Sequence, residues 1–283
     1  MAWLQINFFS QCLHRQVPLQ VLLPVDYAPP GVKFRTLYLL HGFMGGCSDW
    51  LLNTPVNELS QTYGMAVVMP SGDNGFYVDQ PTSGVLGGQY IGRELVEYTR
   101  HILPLSDKRE DTLLGGLSMG GYGALRNTLK YPETFGHCIA LSASQGTDSV
   151  KAATDEPNHI GVTRRFYERL YGDLSQIDES DANLKKLARE VLASGGPVPD
   201  LYFACGWNDA LSNGNRDLHR YLDGIGFPHV YEEGPGTHEW PFWRRFLARG
   251  LEHALGKVEF AFENPFFIDN YDPEFDVTGE GRN

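Results

Sequence analysis

The sequence of 283 residues predicts an α/β fold built on a mostly parallel, twisted sheet with helices on both faces. Short, continuous apolar runs alternate with segments of helical periodicity along most of the chain. The apolar runs mostly lack the polar alternation of half-exposed strands, so they fit strands that are covered on both faces. The helical segments end near glycine or proline, which commonly terminate helices.

Eight apolar runs are predicted to form the sheet. The first two, at 4–10 and 17–24, are expected to open it as an antiparallel pair. The remaining strands are predicted at 36–42, 65–70, 111–116, 137–143, 201–206 and 229–233. The intervening and final helices are predicted at 88–103, 123–132, 215–226 and 239–255. This alternation favours right-handed crossover connections.

The chain is expected to form a single domain over residues 1–257, interrupted by an insertion at 145–198 and followed by a tail at 258–283. The insertion is too long for a plain connection, so we expect it to hold its own helices and to act as a lid. The tail is acidic and aromatic, with seven acidic residues and one arginine beyond Val258. Its aromatic side chains predict docking on the body or on a neighbouring subunit of a homo-oligomer.

Composition narrows the classes of function. A hydrophobic fraction of 42% supports a sizeable core, and a formal charge of −12 argues against binding to nucleic acid or to an anionic membrane. No run approaches transmembrane length, and the N-terminal residues predict a strand instead of a signal peptide. The cysteines show no metal-ligand spacing, so free thiols in a cytoplasmic protein without metal or other cofactor are expected. They are Cys12, Cys47, Cys138 and Cys205.

The stretch DTLLGGLSMGGYGALR, at 111–126, places one serine between two glycine pairs where a strand meets a helix. A tight strand-to-helix turn needs small residues two positions before and after its central residue, here Gly116 and Gly120 around Ser118. The side chain at the tip then stands beside a helix N-terminus. We therefore predict Ser118 as a nucleophile, the alternative being an ordinary glycine-rich turn.

A serine nucleophile needs a base and an acid that orients the base. His238 lies in a glycine-rich loop just past the last predicted strand, and Asp209 follows the strand at 201–206. The chain order serine, acid, histidine with the last two at strand ends is that of doubly wound hydrolases. The alternatives are that His238 caps the final helix and that Asp209 forms an Asx turn or helix cap.

An oxyanion hole needs two N–H donors, one of them from the residue after the nucleophile, here Met119. The second is expected from the loop HGFMGGCSDW, where Phe43 and Met44 both remain candidates. In the insertion, Phe166, Tyr167 and Tyr171 are candidates for binding the substrate. The alternatives are an ordinary βα turn for the loop and a small core of the insertion for the aromatic residues.

Four segments in register, LYLLHGFMGGCSDW, GLSMGGYGALR, ACGWNDAL and GTHEWPFW, resemble the esterase family that includes esterase D, tributyrin esterases and bacterial feruloyl esterases. The resemblance covers roughly residues 1–255. It implies an α/β-hydrolase fold, a carboxylic-ester substrate, no metal and a lid-like insertion. The catalytic residues that it implies are Ser118, Asp209 and His238, which are the three chosen above.

The predicted function is a serine carboxylesterase for short-chain acyl esters and also hydroxycinnamoyl esters, with a small-molecule ester as the partner. Three alternatives remain open: an S-formylglutathione hydrolase-type thioesterase, a mycolyl-type acyltransferase and a catalytically silent binding protein. The thioesterases of this family usually carry a cysteine nearer the start of the oxyanion loop. Gly45 occupies that place here, and Cys47 comes two residues later.

Overall fold

The computed structural model of the protein describes residues 1–144, 146–158 and 160–258. Its strands form one eight-stranded sheet in the order β1-β2-β4-β3-β5-β6-β7-β8. The strands are β1 Ala2–Ser10, β2 Arg15–Leu23, β3 Thr36–Leu40, β4 Ala66–Pro70, β5 Thr112–Leu117, β6 His137–Leu141, β7 Asp200–Gly206 and β8 His229–Gly234. All eight predicted strands are confirmed, with ends within two residues of those expected.

The pairing confirms a mostly parallel sheet that opens with an antiparallel pair. β1 pairs with β2 and β2 pairs with β4 in the antiparallel sense. Every other neighbouring pair is parallel. Since parallel strands need crossover connections, the helices between them cover the two faces of the sheet.

Ten α-helices are found among the described residues. They are α1 Asp49–Asn53, α2 Val56–Tyr63, α3 Gly87–Gln89, α4 Leu95–Ile102, α5 Met119–Lys130, α6 Thr147–Lys151, α7 Arg164–Tyr171, α8 Leu184–Ser194, α9 Ser212–Gly224 and α10 Trp240–Leu255. The helix predicted at 88–103 corresponds to α3, a π-helical turn at Tyr90–Glu94 and α4. The helices α1 and α2 were not predicted. None of these helices is long and apolar enough to cross a membrane.

The central strands are covered on both faces, as their continuous apolar sequences predicted. In β3, Leu37 and Leu39 pack into a cluster with Trp50 and α10, whereas Tyr38 and Leu40 face the cluster on the α5 side. All of β3 is buried. Because a buried leucine side chain contributes about 2 kcal/mol to the free energy of unfolding, these two clusters fix the sheet firmly.

The insertion holds its own helices, which confirms that part of the prediction. Its described residues form α6, α7, the 3-10 segment Leu174–Glu179 and α8, and they add no strand to the sheet. Tyr122 of α5 donates its hydroxyl hydrogen to the Ala182 carbonyl at 2.9 Å, and the buried Arg126 of α5 pairs with Asp181. The insertion is therefore attached to the helix that follows the candidate nucleophile.

The predicted tail falls almost entirely outside the described residues, which end at 258. Docking of the tail and a homo-oligomer therefore stay predictions.

Candidate active site

The three candidate catalytic residues lie at one edge of the sheet. Ser118 directly follows β5, Asp209 follows β7 by three residues, and His238 follows β8 by four. The strands β5, β6, β7 and β8 are successive parallel neighbours. Their carboxyl ends therefore meet at the same edge, where ligands bind in open α/β sheets.

Ser118 occupies a tight turn that requires glycine on both sides. Its φ of 55° lies in the left-handed region, which is strained for a residue with a side chain. A β-carbon on Gly116 would lie 2.4 Å from the Gly120 carbonyl oxygen, and one on Gly120 would lie 2.5 Å from the Leu40 carbonyl oxygen. Both contacts are too short to accommodate, so this sequence of small residues is what lets α5 begin directly after Ser118.

A relay of hydrogen bonds joins the three side chains. His238 Nε2 lies 3.0 Å from Ser118 Oγ, and His238 Nδ1 lies 2.9 Å from Asp209 Oδ2. A carboxylate can only accept, so Nδ1 carries the hydrogen and Nε2 is left to accept the serine proton. The His238 side chain is 38% exposed, whereas that of Asp209 is fully buried.

The environment of Asp209 keeps its carboxylate ionised. Burial alone would raise its pKa, but hydrogen bonds from His238, the Leu211 N–H and Ser142 outweigh burial and leave the pKa below its ordinary value. The Leu211 N–H donates to Oδ1 at 2.9 Å, so Asp209 does form the Asx turn that was the alternative interpretation. The same side chain makes that turn and holds His238.

Two residues that support Asp209 were missed by the sequence analysis. The Trp243 Nε1–H donates to Ser142 Oγ at 3.0 Å, which leaves the Ser142 hydroxyl hydrogen free for Asp209. The Trp243 ring also meets the His238 ring edge-on, with centroids 5.0 Å apart. Ser142 is buried, and its φ of 46° marks a bend in the backbone. The bend follows directly on β6, which ends at Leu141 and not at residue 143 as predicted.

The two candidates for the second oxyanion donor differ in their hydrogen bonds. The Met44 N–H donates to Asn74 Oδ1 at 2.7 Å and is thus already engaged. Among the described residues, no acceptor is found for the Phe43 N–H. Met119 is the first residue of α5, so its N–H has no partner within the helix. These observations favour Phe43 over Met44.

The oxyanion loop is held against the turn at Ser118. A β-carbon on Gly42 would lie 3.5 Å from Ser118 Cβ, so the two segments are in close contact. His41 is buried, with Nδ1 donating to the Gly42 carbonyl at 2.7 Å and Nε2 accepting from the Gly72 N–H at 2.9 Å. Burial lowers the pKa of His41, which keeps its ring in the neutral form that this pair of bonds requires.

The three candidate substrate-binding aromatics lie on α7 and are all partly buried. Phe166 contacts the Phe43 ring with centroids 5.9 Å apart, which brings α7 onto the oxyanion loop. Phe166 also packs edge-on against Phe76 at 6.4 Å. This packing joins the insertion to the body, so Phe166 does not belong to a core confined to the insertion.

Tyr167 and Tyr171 line a cavity of about 230 Å³ between the insertion, α5 and α9. Neither Ser118 nor His238 lines this cavity, but two of its lining residues lie next to Ser118. Tyr122 is one helical turn along α5, and the Ser144 N–H donates to the Ser118 carbonyl oxygen at 3.0 Å. The cavity therefore lies near Ser118, although no residue of the relay lines it.

Comparison with known proteins places this arrangement in a family. Residues 10–254 match the family model Esterase, described as "Putative esterase". An acetyl esterase of Caldicellulosiruptor saccharolyticus is 40% identical over 261 residues, which are 89% of this chain and 97% of that protein.

Two solved structures from Staphylococcus aureus share the fold. The fluorophosphonate-binding serine hydrolase FphF, in its substrate-bound form, superposes with a TM-score of 0.80 at 28% identity. The S-formylglutathione hydrolase FrmB, as apoenzyme, superposes with a TM-score of 0.78, also at 28% identity. Each comparison covers 89% of this chain and 98% of the other.

Proposed function

The chain belongs to the Esterase family of α/β-hydrolases and is a carboxylic ester hydrolase, and on that premise we propose that it acts as a serine esterase on short-chain acyl esters. The observation that carries the proposal is the relay from Ser118 through His238 to Asp209, with hydrogen-bond distances of 3.0 and 2.9 Å. This geometry supplies a nucleophile, a base and a group that orients the base.

In the proposed reaction, Ser118 Oγ attacks the ester carbonyl while His238 Nε2 takes the hydroxyl proton. The imidazolium then gives this proton to the alcohol oxygen as the ester C–O bond breaks, and an acyl-Ser118 intermediate remains. Water, deprotonated in turn by His238, attacks the acyl carbonyl and releases the carboxylic acid and free Ser118. Asp209 stays ionised throughout and stabilises the imidazolium.

The negative oxygen of each tetrahedral intermediate needs donors that are in place beforehand. We assign this role to the N–H groups of Met119 and Phe43. The engagement of the Met44 N–H by Asn74 supports Phe43 as the second donor. The hydrogen bonds of His41 to Gly42 and Gly72 hold the loop in place before a substrate binds.

The proposed preference for short acyl chains rests on the cavity near Ser118 and on the aromatic residues of α7. This cavity has a volume of about 230 Å³, which limits the length of the group that it holds. Phe166 narrows the space over the oxyanion loop, and Tyr167 and Tyr171 offer ring surface to a bound group. The 40% identity to an acetyl esterase is consistent with a small acyl group.

The test is a series of p-nitrophenyl esters from acetate to palmitate, with methyl ferulate as the hydroxycinnamoyl substrate. We expect kcat/KM to be highest between acetyl and butyryl and to fall steeply beyond about eight carbons, since a pocket of limited volume rejects added length. A maximum at ten carbons or more would contradict the proposed limit on length. Absence of hydrolysis of every ester would contradict the esterase and favour a silent binding protein.

A thioesterase acting on S-formylglutathione is the second candidate, because FrmB superposes closely on this chain. Against it, Gly45 occupies the place where the family's thioesterases usually carry a cysteine. Cys47, two residues later, accepts a hydrogen bond from Gln20 Nε2, which lies 3.9 Å from Sγ. Comparing kcat/KM for S-formylglutathione and p-nitrophenyl acetate distinguishes the two. A preference for the thioester by tenfold or more would establish the second candidate.

A cytoplasmic location is proposed from the thiols. The four cysteines are free, and burial raises the pKa of Cys138 and of Cys205 to about 12, so these two are unreactive. Unpaired cysteines in this number fit a reducing compartment. Fractionation of the native cells would test the location.

A further inference from the structure

A cluster of two histidines and one aspartate lies where α9 meets β8. His219 and Asp223 are one turn apart on α9, and His229 is the first residue of β8. His238 follows the other end of β8, and a six-residue strand spans about 20 Å. The cluster is therefore at the opposite edge of the sheet from the candidate active site and has no part in the relay.

The three side chains offer their ligand atoms to one another at short range. His219 Nδ1 lies 2.8 Å from His229 Nε2. Asp223 places one carboxylate oxygen 3.4 Å from His219 Nε2 and the other 3.7 Å from His229 Nε2. In a tetrahedral zinc site with bonds of about 2.1 Å, neighbouring ligand atoms are roughly 3.4 Å apart. The separations of 2.8 and 3.7 Å join one possible ligand set, His219 Nδ1, His229 Nε2 and Asp223 Oδ1, and lie on either side of this value. The 3.4 Å contact joins the other His219 nitrogen to the other carboxylate oxygen.

The hydrogen bonds of the cluster leave one contact unmatched when each ring carries a single hydrogen. His229 Nδ1 donates to the Phe227 carbonyl at 2.8 Å, so its Nε2 carries a lone pair. His219 Nδ1–H must then donate to that lone pair. This leaves His219 Nε2 with its own lone pair facing the Asp223 carboxylate. A metal ion bound by His219 Nδ1 and His229 Nε2 would leave the His219 hydrogen on Nε2, where the Asp223 carboxylate accepts it.

A second histidine–aspartate group at the same edge provides a contrast. His137 and His253 bind opposite oxygens of the Asp200 carboxylate, at 3.2 and 3.0 Å. Each ring there has a simple hydrogen bond to an acceptor. Among the described residues, the His219 group alone brings one ligand atom from each of three such residues within 4.8 Å of one another. Both groups consist of two histidines and one aspartate, so they differ only in how closely their ligand atoms approach one another.

We propose that His219, Asp223 and His229 form a zinc site, with two ring nitrogens, one carboxylate oxygen and a water as ligands. Imidazole ligands favour zinc and related transition-metal ions over magnesium and calcium, which prefer oxygen. The His229 side chain is 2% exposed and already oriented by its bond to Phe227, as metal-binding histidines usually are. The ion would join α9 to β8, the two elements between Asp209 and His238, and would stabilise the fold without taking part in ester hydrolysis.

The experiment uses the full chain, stripped of metal with EDTA and dialysed. Zinc chloride is titrated by calorimetry, and melting temperature is measured with and without zinc. We expect one site per chain and a rise in Tm of about 4 °C at a hundredfold excess over Kd. Magnesium is expected to give no shift, and kcat for p-nitrophenyl acetate is expected to be the same with zinc and with EDTA.

Asp223→Asn and His219→Gln keep the size of exposed or partly exposed side chains and are expected to lose the zinc-dependent rise in Tm. The matched control is His253→Gln, which removes a histidine from the Asp200 group and should keep the full rise. Because free thiols also bind zinc, the difference between these variants is the result that decides. Equal stabilisation of all variants, loss of the rise in His253→Gln alone, or no zinc-dependent rise in the wild type would each overturn the proposal.

Discussion

The candidate catalytic edge and the insertion are held in place in different ways. At the edge, Ser118, Asp209 and His238 each follow a strand of the sheet within four residues, so backbone hydrogen bonds fix their positions. The described insertion adds no strand, and it is attached by side chains such as Tyr122 and Arg126 of α5. The candidate catalytic residues are therefore positioned by the sheet, whereas the insertion is positioned by side-chain packing.

This difference predicts that the two regions can be altered separately. Changes at the edge should lower the rate for every ester alike, because they act on steps common to all substrates. Changes in the insertion should alter the order of preference among esters and leave the reaction itself largely intact. Single substitutions in each region should therefore separate these two effects.

Asp209→Asn should have the largest effect among the supporting residues. The amide would present an N–H to His238 and favour the ring tautomer that cannot accept the Ser118 proton. We expect kcat to fall by about 10³ to 10⁴ for all esters, with the fold retained by near-ultraviolet circular dichroism. The matched control is Asp173→Asn in the insertion, which should stay close to wild type. Loss of activity in the control but not in Asp209→Asn would place the acid in the insertion.

Acid should inactivate the edge before it loosens the insertion. The pKa of Asp209 lies below its ordinary value, so this carboxylate remains ionised in mild acid. A base that must take the Ser118 proton acts only in its unprotonated form. We expect kcat/KM to fall about tenfold per pH unit on the acid limb, which is the slope for a single proton.

The attachment of the insertion should persist over the same pH range. The pKa of Asp181 is lowered: burial opposes this, but the bond and charge of Arg126 outweigh it. A depressed folded-state pKa gives stability that is complete above the unfolded value of about 3.9 and is lost only as pH falls through the lower folded value. Thermal melting at pH 5 should therefore resemble that at pH 7. If kcat/KM fell a hundredfold per pH unit, or if the protein melted over the pH range in which activity is lost, loss of activity and loosening of the insertion would not be separate events.

Ser142→Ala tests a positioning residue of the edge. The change removes a donor to Asp209 and leaves the Trp243 N–H without its acceptor. We expect kcat to fall about tenfold for every ester while KM is unchanged, because one hydrogen bond to a charged group is worth about 1.5–3 kcal/mol and part of this is recovered by water. Equal losses in kcat and affinity, or an effect on long esters alone, would show that Ser142 acts only through general packing.

Phe166→Ala should have the smallest effect on rate and the clearest effect on selectivity. Removing the ring opens space above Phe43 on the oxyanion loop. We expect the ratio of kcat/KM for the octanoyl ester to that for the acetyl ester to rise about threefold. The control is Phe9→Ala on β1, an exposed ring at the far edge of the sheet, which should leave the ratio unchanged. An equal fall in kcat/KM for both esters in Phe166→Ala would show that the insertion affects the reaction itself and not the selection of the ester.

The sequence was sufficient where a residue's position follows from the backbone. Strand ends can be located from apolar runs, and in a parallel sheet those ends meet, which is why Ser118, Asp209 and His238 could be chosen from the sequence. The start of α5 was placed four residues late, because Gly120, Gly121 and Gly123 resemble a turn when their packing is unknown.

The sequence was insufficient where a contact depends on distant side chains. The choice between Phe43 and Met44 rests on Asn74, which lies 30 residues along the chain. The support of Asp209 by Ser142 depends on a bend after Leu141 and on Trp243, 101 residues later. No periodicity or spacing in the sequence predicts such pairs, because the packing of distant segments brings them together.

The central claim is that Ser118 carries the acyl group, and covalent labelling tests it most directly. Wild-type protein and Ser118→Ala are treated with a fluorophosphonate, and the label is located by mass spectrometry of peptides while ester hydrolysis is followed. We expect one label per chain on Ser118, with activity lost in parallel, and neither labelling nor more than about one part in 10⁴ of the wild-type kcat in Ser118→Ala. A label on another residue, or hydrolysis by folded Ser118→Ala at the wild-type rate, would contradict the account.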